Sequence, residues 1–404
     1  MNPSDFPFLP AWPPAVTPLA WVSVLLLAAI VAGEVTRRWL RVSRVIGYLV
    51  VGAALGPRAI GVLDVATLGA LRVFVDIAVG LLLFELGQRV DLGWLRRNPW
   101  LLVTSVFEAL LTLTAVYVVM RLFDVMPVTA AAAGVLAMAT SPAVVITLVK
   151  DLRAQGQVTE RVMLFTALNT TYAVIGLALM FGWLHYESEQ ASTMMIAHPV
   201  YLIGGSLGLA AIMAAVMLLV LKMFGRSPVF QFAITVALVL LAVAGSSALN
   251  LLVPLTLLLM GMLARVFDRD RHFVSLRFGQ SLMLFVVLLF ALGGAGLEFR
   301  GWLQALPMAL GFIAARHLGK LVPMLLLARP SSLATRKASL VQLGLTPMSS
   351  LALLMMQDIA LQAPALAQQI SASVYLAITI LAFAGPVALQ YALRRAGETA
   401  EDAK

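Results

Sequence analysis

Apolar runs long enough to cross a lipid bilayer recur along almost the whole chain. They follow one another from residue 18 to residue 394 with only short polar breaks, and a bilayer core requires roughly 20 apolar residues in each helix. Charged residues make up only 12% of the sequence, whereas they make up about a quarter of a soluble domain. The chain is therefore predicted to be an all-α polytopic membrane protein without a soluble domain of useful size.

About thirteen transmembrane helices are predicted, and the basic residues fall in alternate loops between them. Most of the 28 Lys and Arg residues lie after odd-numbered spans or in the tail, which by the positive-inside rule places these loops in the cytoplasm. We expect a bacterial-type inner membrane, with the N-terminus outside and the C-terminus cytoplasmic. The predicted spans are residues 18–35, 45–60, 66–87, 100–123, 128–150, 160–184, 199–224, 229–247, 250–265, 279–299, 301–327, 337–358 and 370–393.

Several classes of protein are excluded by what the sequence lacks. The net charge of +9 comes from basic residues that stand singly between apolar runs, not from a basic face of the kind that binds nucleic acid. There is no cysteine, and no phosphate loop, zinc-ligand spacing or nucleophile elbow occurs. The sequence therefore predicts no enzyme, no cofactor and no nucleic-acid partner.

Two predicted spans are interrupted in a matching way, at residues 139–142 of the fifth and 345–350 of the twelfth. They lie seven spans apart and so cross the membrane in opposite directions, as broken helices of an inverted repeat do. Backbone groups freed at mid-membrane must line a polar cavity or be buried in protein. The pattern indicates a transport site, and a pair of proline kinks packed against neighbouring helices is the alternative.

Four stretches resemble the monovalent cation:proton antiporter-2 family, and the likeness covers nearly the whole chain. They are residues 45–57, 80–84, 140–145 and 315–320. The resemblance implies a sodium/proton antiporter-like fold, an inverted repeat whose two broken helices cross beside the ion site, and a homodimer. The implied division is an interfacial segment (1–17), scaffold or dimerisation helices 1–3 (18–99) and 8–10 (229–299), core transport helices 4–6 (100–184) and 11–13 (301–393), linker helix 7 (199–224) and a short cytoplasmic tail (394–404).

The sixth span departs from that family. The resemblance implies an aspartate there that binds cation and proton in turn, and Thr171 aligns with it. Hydroxyl and amide oxygens can replace part of a cation's hydration shell, but they do not take up a proton near neutral pH. The predicted ion-binding residues are Thr140, Ser141, Asn169, Thr170, Thr171, Thr346 and Ser349.

Four charged residues inside predicted spans could carry protons or balance charge, because charge in the hydrocarbon core is costly. Arg316 and Lys320 lie one turn apart on the eleventh span, where the resemblance implies a basic partner for the missing aspartate. A desolvated lysine can carry a proton, whereas snorkelling to the interface is the alternative. Glu108 is the preferred substitute carboxylate. Asp76 could instead pair with Arg72 one turn earlier.

The sequence is compatible with two functions. The first is a secondary active transporter that exchanges Na⁺ or K⁺ for protons, whose partners are these ions and the membrane lipid. The second is a transporter-like protein without coupled exchange, acting as a channel, a carrier of another solute, or a sensor or scaffold. The missing aspartate favours the second, and Lys320 with both broken spans favours the first.

Overall fold

The computed structural model describes residues 18–57, 59–63, 65–90, 92–189, 192–224, 227–268, 283–297, 302–348 and 350–400. All the regular elements in these residues are α-helices. The predicted interfacial segment 1–17 lies outside the described residues. In chain order the helices are α1 (Pro18–Arg38), α2 (Arg44–Leu55), α3 (Val65–Arg89), α4 (Leu92–Arg97), α5 (Pro99–Leu122), α6 (Pro127–Met138), α7 (Pro142–Asp151), α8 (Gln157–Glu189), α9 (Ser192–Phe224), α10 (Pro228–Ala248), α11 (Val253–Phe267), α12 (Met283–Ala295), α13 (Trp302–Leu326), α14 (Thr335–Gly344), α15 (Ser350–Gln362) and α16 (Pro364–Arg395).

The thirteen predicted spans each coincide with one helix or, at the two interruptions, with a pair of helices. Within the described residues, nine helical stretches are long and apolar enough to cross a membrane, and Pro127–Asp151 is one of them although it contains a break. Shorter apolar helices account for the second, ninth, tenth and twelfth predicted spans. The all-α, multi-span prediction is therefore confirmed.

One helix end that differs from the prediction is set by a proline. The last helix begins six residues earlier than predicted, at Pro364, because a proline at the first helical position has no N–H to leave unsatisfied. The short helix α4, between the third and fourth spans, was not predicted. Its six residues carry too few apolar positions to show a helical period.

Close helix contacts depend on glycine at the α2–α12 crossing. A Cβ atom at Gly52 would lie 1.8 Å from the carbonyl oxygen of Ala291, and one at Gly294 would lie 2.3 Å from that of Leu49. Glycines on both helices therefore let the two backbones touch, as small residues do in membrane helix pairs.

The buried apolar side chains form two clusters. One draws on α5, α6, α8, α13, α15 and α16, and these helices enclose the two interruptions. The other is centred on α1 to α3 and α9 to α12, and it also includes α7 and α14. The division into a dimerising scaffold and a moving core remains a prediction.

Candidate ion site

The two helix interruptions meet inside the protein. The N–H of Ser141, in the gap between α6 and α7, donates to the carbonyl oxygen of Pro347, in the gap between α14 and α15, over 2.9 Å. Proline disfavours a helical conformation in the residue before it, and Ser141 is accordingly extended, with ψ 108°. The C-termini of α6 and α14 thus converge on one place.

Arg316 of α13 binds the carbonyl groups at both helix C-termini. Its guanidinium donates to the oxygens of Ala137 (3.1 Å) and Ala139 (2.9 Å) at the end of α6. It also donates to those of Leu345 (3.1 Å) and Thr346 (3.0 Å) after α14. Helix C-termini carry unsatisfied carbonyls and a partial negative charge, so the fully buried Arg316 ties the two broken helices together.

Lys320 lies one turn further along α13 and meets a carboxylate. Its ammonium group pairs with Oε1 of Glu108 on α5 and donates to the carbonyl oxygen of Met138 over 3.2 Å. Both charged side chains are fully buried. Charges removed from water need opposite charges and hydrogen bonds around them, and here each supplies the other's counter-charge.

A glycine brings the two helices of this pair together. A Cβ atom at Gly319 would lie 2.5 Å from the Cα atom of Thr112, so α13 rests directly on the backbone of α5. Thr112 is one turn after Glu108, and Gly319 directly precedes Lys320. The close approach therefore places the lysine beside the carboxylate.

α8 reaches this pair through Asn169. Its amide Nδ2 donates to Oε1 of Glu108 (3.2 Å) and to the hydroxyl of Thr140 (3.4 Å) in the first break. Among the described residues, Oε2 of Glu108, Oδ1 of Asn169 and the hydroxyl of Thr170 are buried without hydrogen-bond partners. The site thus holds acceptor oxygens that could bind a cation.

Thr171 uses its hydroxyl within its own helix. This hydroxyl donates to the carbonyl oxygen of Ala167 over 2.9 Å, and the residue is half-buried, whereas Asn169 is fully buried. The geometry therefore points to Asn169, rather than Thr171, as the α8 residue that contacts the ion pair.

The structure also describes three other predicted residues, Ser141, Thr346 and Asp76. Ser141 caps the N-terminus of α7 by accepting from the N–H of Val144 over 3.5 Å. The hydroxyl of Thr346 lies 3.3 Å from Nε2 of His317. Asp76 is half-buried on α3, which packs mainly against α11. Ser349 lies outside the described residues.

Sequence reasoning missed the backbone groups that hold the two basic side chains. These are the carbonyls of Ala137, Met138, Ala139 and Leu345. Every interrupted helix leaves free carbonyls at its C-terminal half, and that rule applied to both breaks could have identified their need for a buried cation.

Comparisons with known proteins agree with this architecture. Residues 22–395 match the family model described as sodium/hydrogen exchanger, transmembrane. A structure of the sodium/proton antiporter MjNhaP1 from Methanocaldococcus jannaschii at pH 8 superposes with a TM-score of 0.69 at 16% identity, covering 94% of this chain and 96% of that one. An electron-microscopy structure of the same antiporter gives 0.68 at 15% identity, covering 93% of each chain. No curated protein matches the sequence. The likeness shows a sodium/proton antiporter-like fold.

Proposed function

The chain belongs to the sodium/hydrogen exchanger family, and we propose that it exchanges a monovalent cation, Na⁺ or K⁺, for protons at Glu108 and Lys320. The observation that carries the proposal is the fully buried pair of these two residues beside the crossing breaks. A carboxylate and an ammonium group are held there, where the sixth span supplies no carboxylate. We infer that Glu108 takes over the role of the aspartate that the family resemblance implies in the sixth span.

Charge balance couples the two ions. With Glu108 ionised and Lys320 protonated, the pair has no net charge. A cation that binds the carboxylate adds one positive charge, which costs much free energy in a medium of low dielectric constant. Loss of the proton from Lys320 restores the neutral total. One cation is therefore exchanged for one proton, and the cycle moves no net charge.

Oxygen atoms available at the pair would coordinate the cation. Oε2 of Glu108 and Oδ1 of Asn169 belong to side chains that already touch each other, and neither atom has another partner among the described residues. Hard monovalent cations accept carboxylate, amide and hydroxyl oxygens in place of water. The hydroxyl of Thr140 is the next nearest oxygen, 3.4 Å from Nδ2 of Asn169.

The ion site would move as one unit. Arg316, Lys320, Glu108, Asn169 and Thr140 all lie in the two predicted core segments, 100–184 and 301–393. Their mutual bonds therefore need not break if the core shifts against the scaffold. Movement of this core within a homodimer, in a bacterial-type inner membrane with the C-terminus cytoplasmic, completes the proposal.

The test is proton movement in proteoliposomes that contain a pH-sensitive dye, challenged in turn with Na⁺, K⁺ and Li⁺. We expect the wild type to move protons against at least one of the three cations, and Glu108→Gln to reduce the rate by at least about a hundredfold, the order of loss for one essential proton-transfer group. Glu85→Gln is the matched control, because Glu85 is also buried beside a lysine, Lys150, at 2.5 Å, but lies on α3.

Lys320→Arg separates the two groups of the pair. Arginine preserves the positive charge but does not release its proton, so we expect coupled exchange to be lost while Glu108 stays paired. If Lys320→Arg exchanges at the wild-type rate, then Glu108 alone carries the proton.

The second candidate function is a transporter-like protein without coupled exchange: a channel, a carrier of another solute, or a sensor. The observation in its favour is that α8 brings an amide and no carboxylate to the pair. Protons that stay still under all three cation gradients, with the wild type correctly folded, would rule out exchange of these ions and support this reading.

A further inference from the structure

The ion site is enclosed by protein on every side. The side chains of Glu108, Lys320, Asn169 and Thr140 are all 0% exposed, so a cation cannot reach them from water unless a neighbouring side chain or helix moves. Proteins open and close such enclosed sites with a small moving element. One of the groups that enclose the site must therefore act as a gate.

Two hydrogen bonds join α5 and α8 beside this site, one helical turn apart on each helix. In the first, Asn169 donates to Glu108 over 3.2 Å. In the second, the Ser105 hydroxyl donates to the phenol oxygen of Tyr172 over 3.1 Å. Ser105 precedes Glu108 by three residues, and Tyr172 follows Asn169 by three. The second bond therefore connects the turn before the carboxylate to the turn after the amide.

The ring of Tyr172 passes across the level of the Glu108 carboxylate. The fourth and sixth predicted spans run through the membrane in the same direction, because one span lies between them. Side chains on a helix lean toward its N-terminus, so Tyr172 extends back toward the start of α8 to reach Ser105. The ring therefore lies beside the contact between Glu108 and Asn169 and covers it on one side.

Tyr172 also lies at the boundary between the buried site and the outside of the helix bundle. Ser105 is 0% exposed, whereas Tyr172 is half-buried, as are Leu168, Thr171 and Ile175. These four residues of α8 stand at helical spacing and share one face of the helix. Tyr172 thus extends from a partly exposed face to a fully buried serine, and its ring separates the ion site from the outside.

Stronger contacts close other sides of the site. The backbone of α13 rests on α5 at Gly319, and Arg316 holds the two helix breaks together through four carbonyl groups. Tyr172 is bound to α5 by a hydrogen bond between two neutral hydroxyl groups, which is weaker than a bond from a charged group. Rotation of this one side chain requires no helix to move, so it opens the enclosure at a smaller cost in free energy than either of the other contacts.

We propose that Tyr172 is the gate of the ion site. While its phenol is bonded to Ser105, the ring covers Glu108, and when the ring rotates away from α5 the carboxylate opens to the predicted cytoplasmic side, where α5 begins. The two hydroxyl groups, freed from each other, then offer oxygen atoms to the partly dehydrated cation on its way to Glu108. This inference rests on the proposed function, because it names the side chain that admits the cation to that site.

The test uses cysteine labelling, which is specific because the chain has no cysteine. Asn169→Cys places one thiol beside the Tyr172 ring, and its reaction with a small, charged methanethiosulfonate is followed by mass spectrometry of the purified full chain. Adding Tyr172→Phe should raise the labelling rate about tenfold, the value of one neutral hydrogen bond. Ser105→Ala should raise it equally, and the two together should add nothing, because both remove the same bond.

Tyr117→Phe is the matched control, because Tyr117 is also half-buried among these helices, on α5, and it should leave the labelling rate unchanged. Thr170→Cys is the second reporter, since its hydroxyl has no partner among the described residues and a thiol there breaks no hydrogen bond. If Tyr172→Phe accelerates the labelling of neither thiol, the proposal is wrong. It is equally wrong if Tyr117→Phe accelerates labelling as much, because the helices would then have loosened as a whole.

Failure of the gate and failure of the proposed function give different results. Labelling requires no ion gradient, so acceleration by Tyr172→Phe supports the gate even if proteoliposomes show no proton movement. Proton exchange by the wild type, together with a labelling rate that Tyr172→Phe leaves unchanged, overturns the gate and leaves the proposed function standing.

Discussion

Two of the buried glutamates in the described part of the chain form close ion pairs with lysines, and the surroundings of the two pairs differ. Glu108 and Lys320 are both fully buried, and α13 packs its backbone against α5 to bring them together. Glu85 is equally buried, but Lys150 keeps 31% of its side chain exposed and Arg89 adds a second cation at 3.4 Å. Both members of the second pair lie in the last turns of their helices, α3 and α7.

The two pairs differ in their access to water, and this difference is the reason why we propose the Glu108–Lys320 pair as the site of exchange. A lysine at a helix end can extend to water and stay protonated whatever the carboxylate does. A lysine enclosed beside the breaks has one carboxylate and one carbonyl as partners. In the proposed exchange, a change in the charge of Glu108 is therefore balanced by Lys320. The same comparison explains Arg316, whose bonds to four carbonyls do not depend on a titrating group.

The largest effect is expected when one charge of the Glu108–Lys320 pair is removed and the other stays buried without its partner. Lys320→Met should lower the free energy of unfolding by about 3–5 kcal/mol, the cost of an uncompensated buried charge. Lys150→Met should cost at most about 1 kcal/mol, because Arg89 still pairs with Glu85 and partly exposed pairs contribute little. Unfolding midpoints of both variants in mild detergent measure the difference.

A double variant checks the cause of that loss. Lys320→Met combined with Glu108→Gln removes both charges, so most of the stability should return, while exchange stays absent. A double variant as unstable as Lys320→Met alone would show that the lysine stabilises the fold by packing rather than by charge.

The spans, the two breaks and the charged residues of the site could be predicted from the sequence. The thirteen spans follow from apolar length, and both breaks follow from Pro142 and Pro347, because proline restricts the backbone whatever packs around it. Glu108 and Lys320 could be named as candidates because charge in an apolar span is costly. Their pairing across 212 positions of sequence is also consistent with the predicted choice of substitute carboxylate.

The orientation of α8 could not be predicted in the same way. Asn169 and Thr171 are two residues apart, which turns their side chains about 200° from each other on a helix. The choice between them rests on the partners that α5 and α6 provide, and a sequence does not show these. The carbonyls that bind Arg316 are equally hidden, because every residue has a carbonyl group and only the fold decides which ones stay free.

A smaller effect is expected from adding a carboxylate to α8. Asn169→Asp would place a second carboxylate beside Glu108 and Thr140. If Lys320 releases its proton as proposed for the wild type and the new carboxylate releases another, two protons leave for each cation and one net charge moves in each cycle. Exchange, which is proposed to move no net charge in the wild type, should then depend on the membrane potential, and its rate should change several-fold across the imposed potential. Dye-loaded proteoliposomes with an imposed potassium diffusion potential measure this, with Na⁺ as the exchanged ion.

Thr171→Asp is the matched variant for this prediction. Its side chain lies on the part of α8 where the hydroxyl bonds to Ala167, so exchange should remain insensitive to the potential. In the opposite result, exchange by Thr171→Asp would depend on the membrane potential and exchange by Asn169→Asp would not. That result would support the alignment of Thr171 with the aspartate of the family.

The smallest effect is expected at a third buried carboxylate, Glu398, which follows α16. Its oxygens accept from the N–H groups of Val158 (2.9 Å) and Thr159 (2.8 Å) and from the Thr159 hydroxyl, so it caps the N-terminus of α8. Its nearest lysine contact is 4.0 Å, to the partly exposed Lys337. Donor groups at the start of α8, rather than a lysine, therefore provide most of the hydrogen bonds that this carboxylate accepts.

Glu398→Ala should lower the free energy of unfolding by about 1–2 kcal/mol, the usual value of a lost helix cap, and leave the apparent affinity for the cation unchanged. Glu160→Ala is the control, because Glu160 is an exposed carboxylate in the same first turn of α8 and should change stability by less than about 0.5 kcal/mol. If Glu398→Ala abolished exchange at wild-type stability, Glu398 would take part in transport itself. Burial of a glutamate together with its lysine, as in the Glu108–Lys320 pair, would then not be the property that identifies a carboxylate needed for exchange.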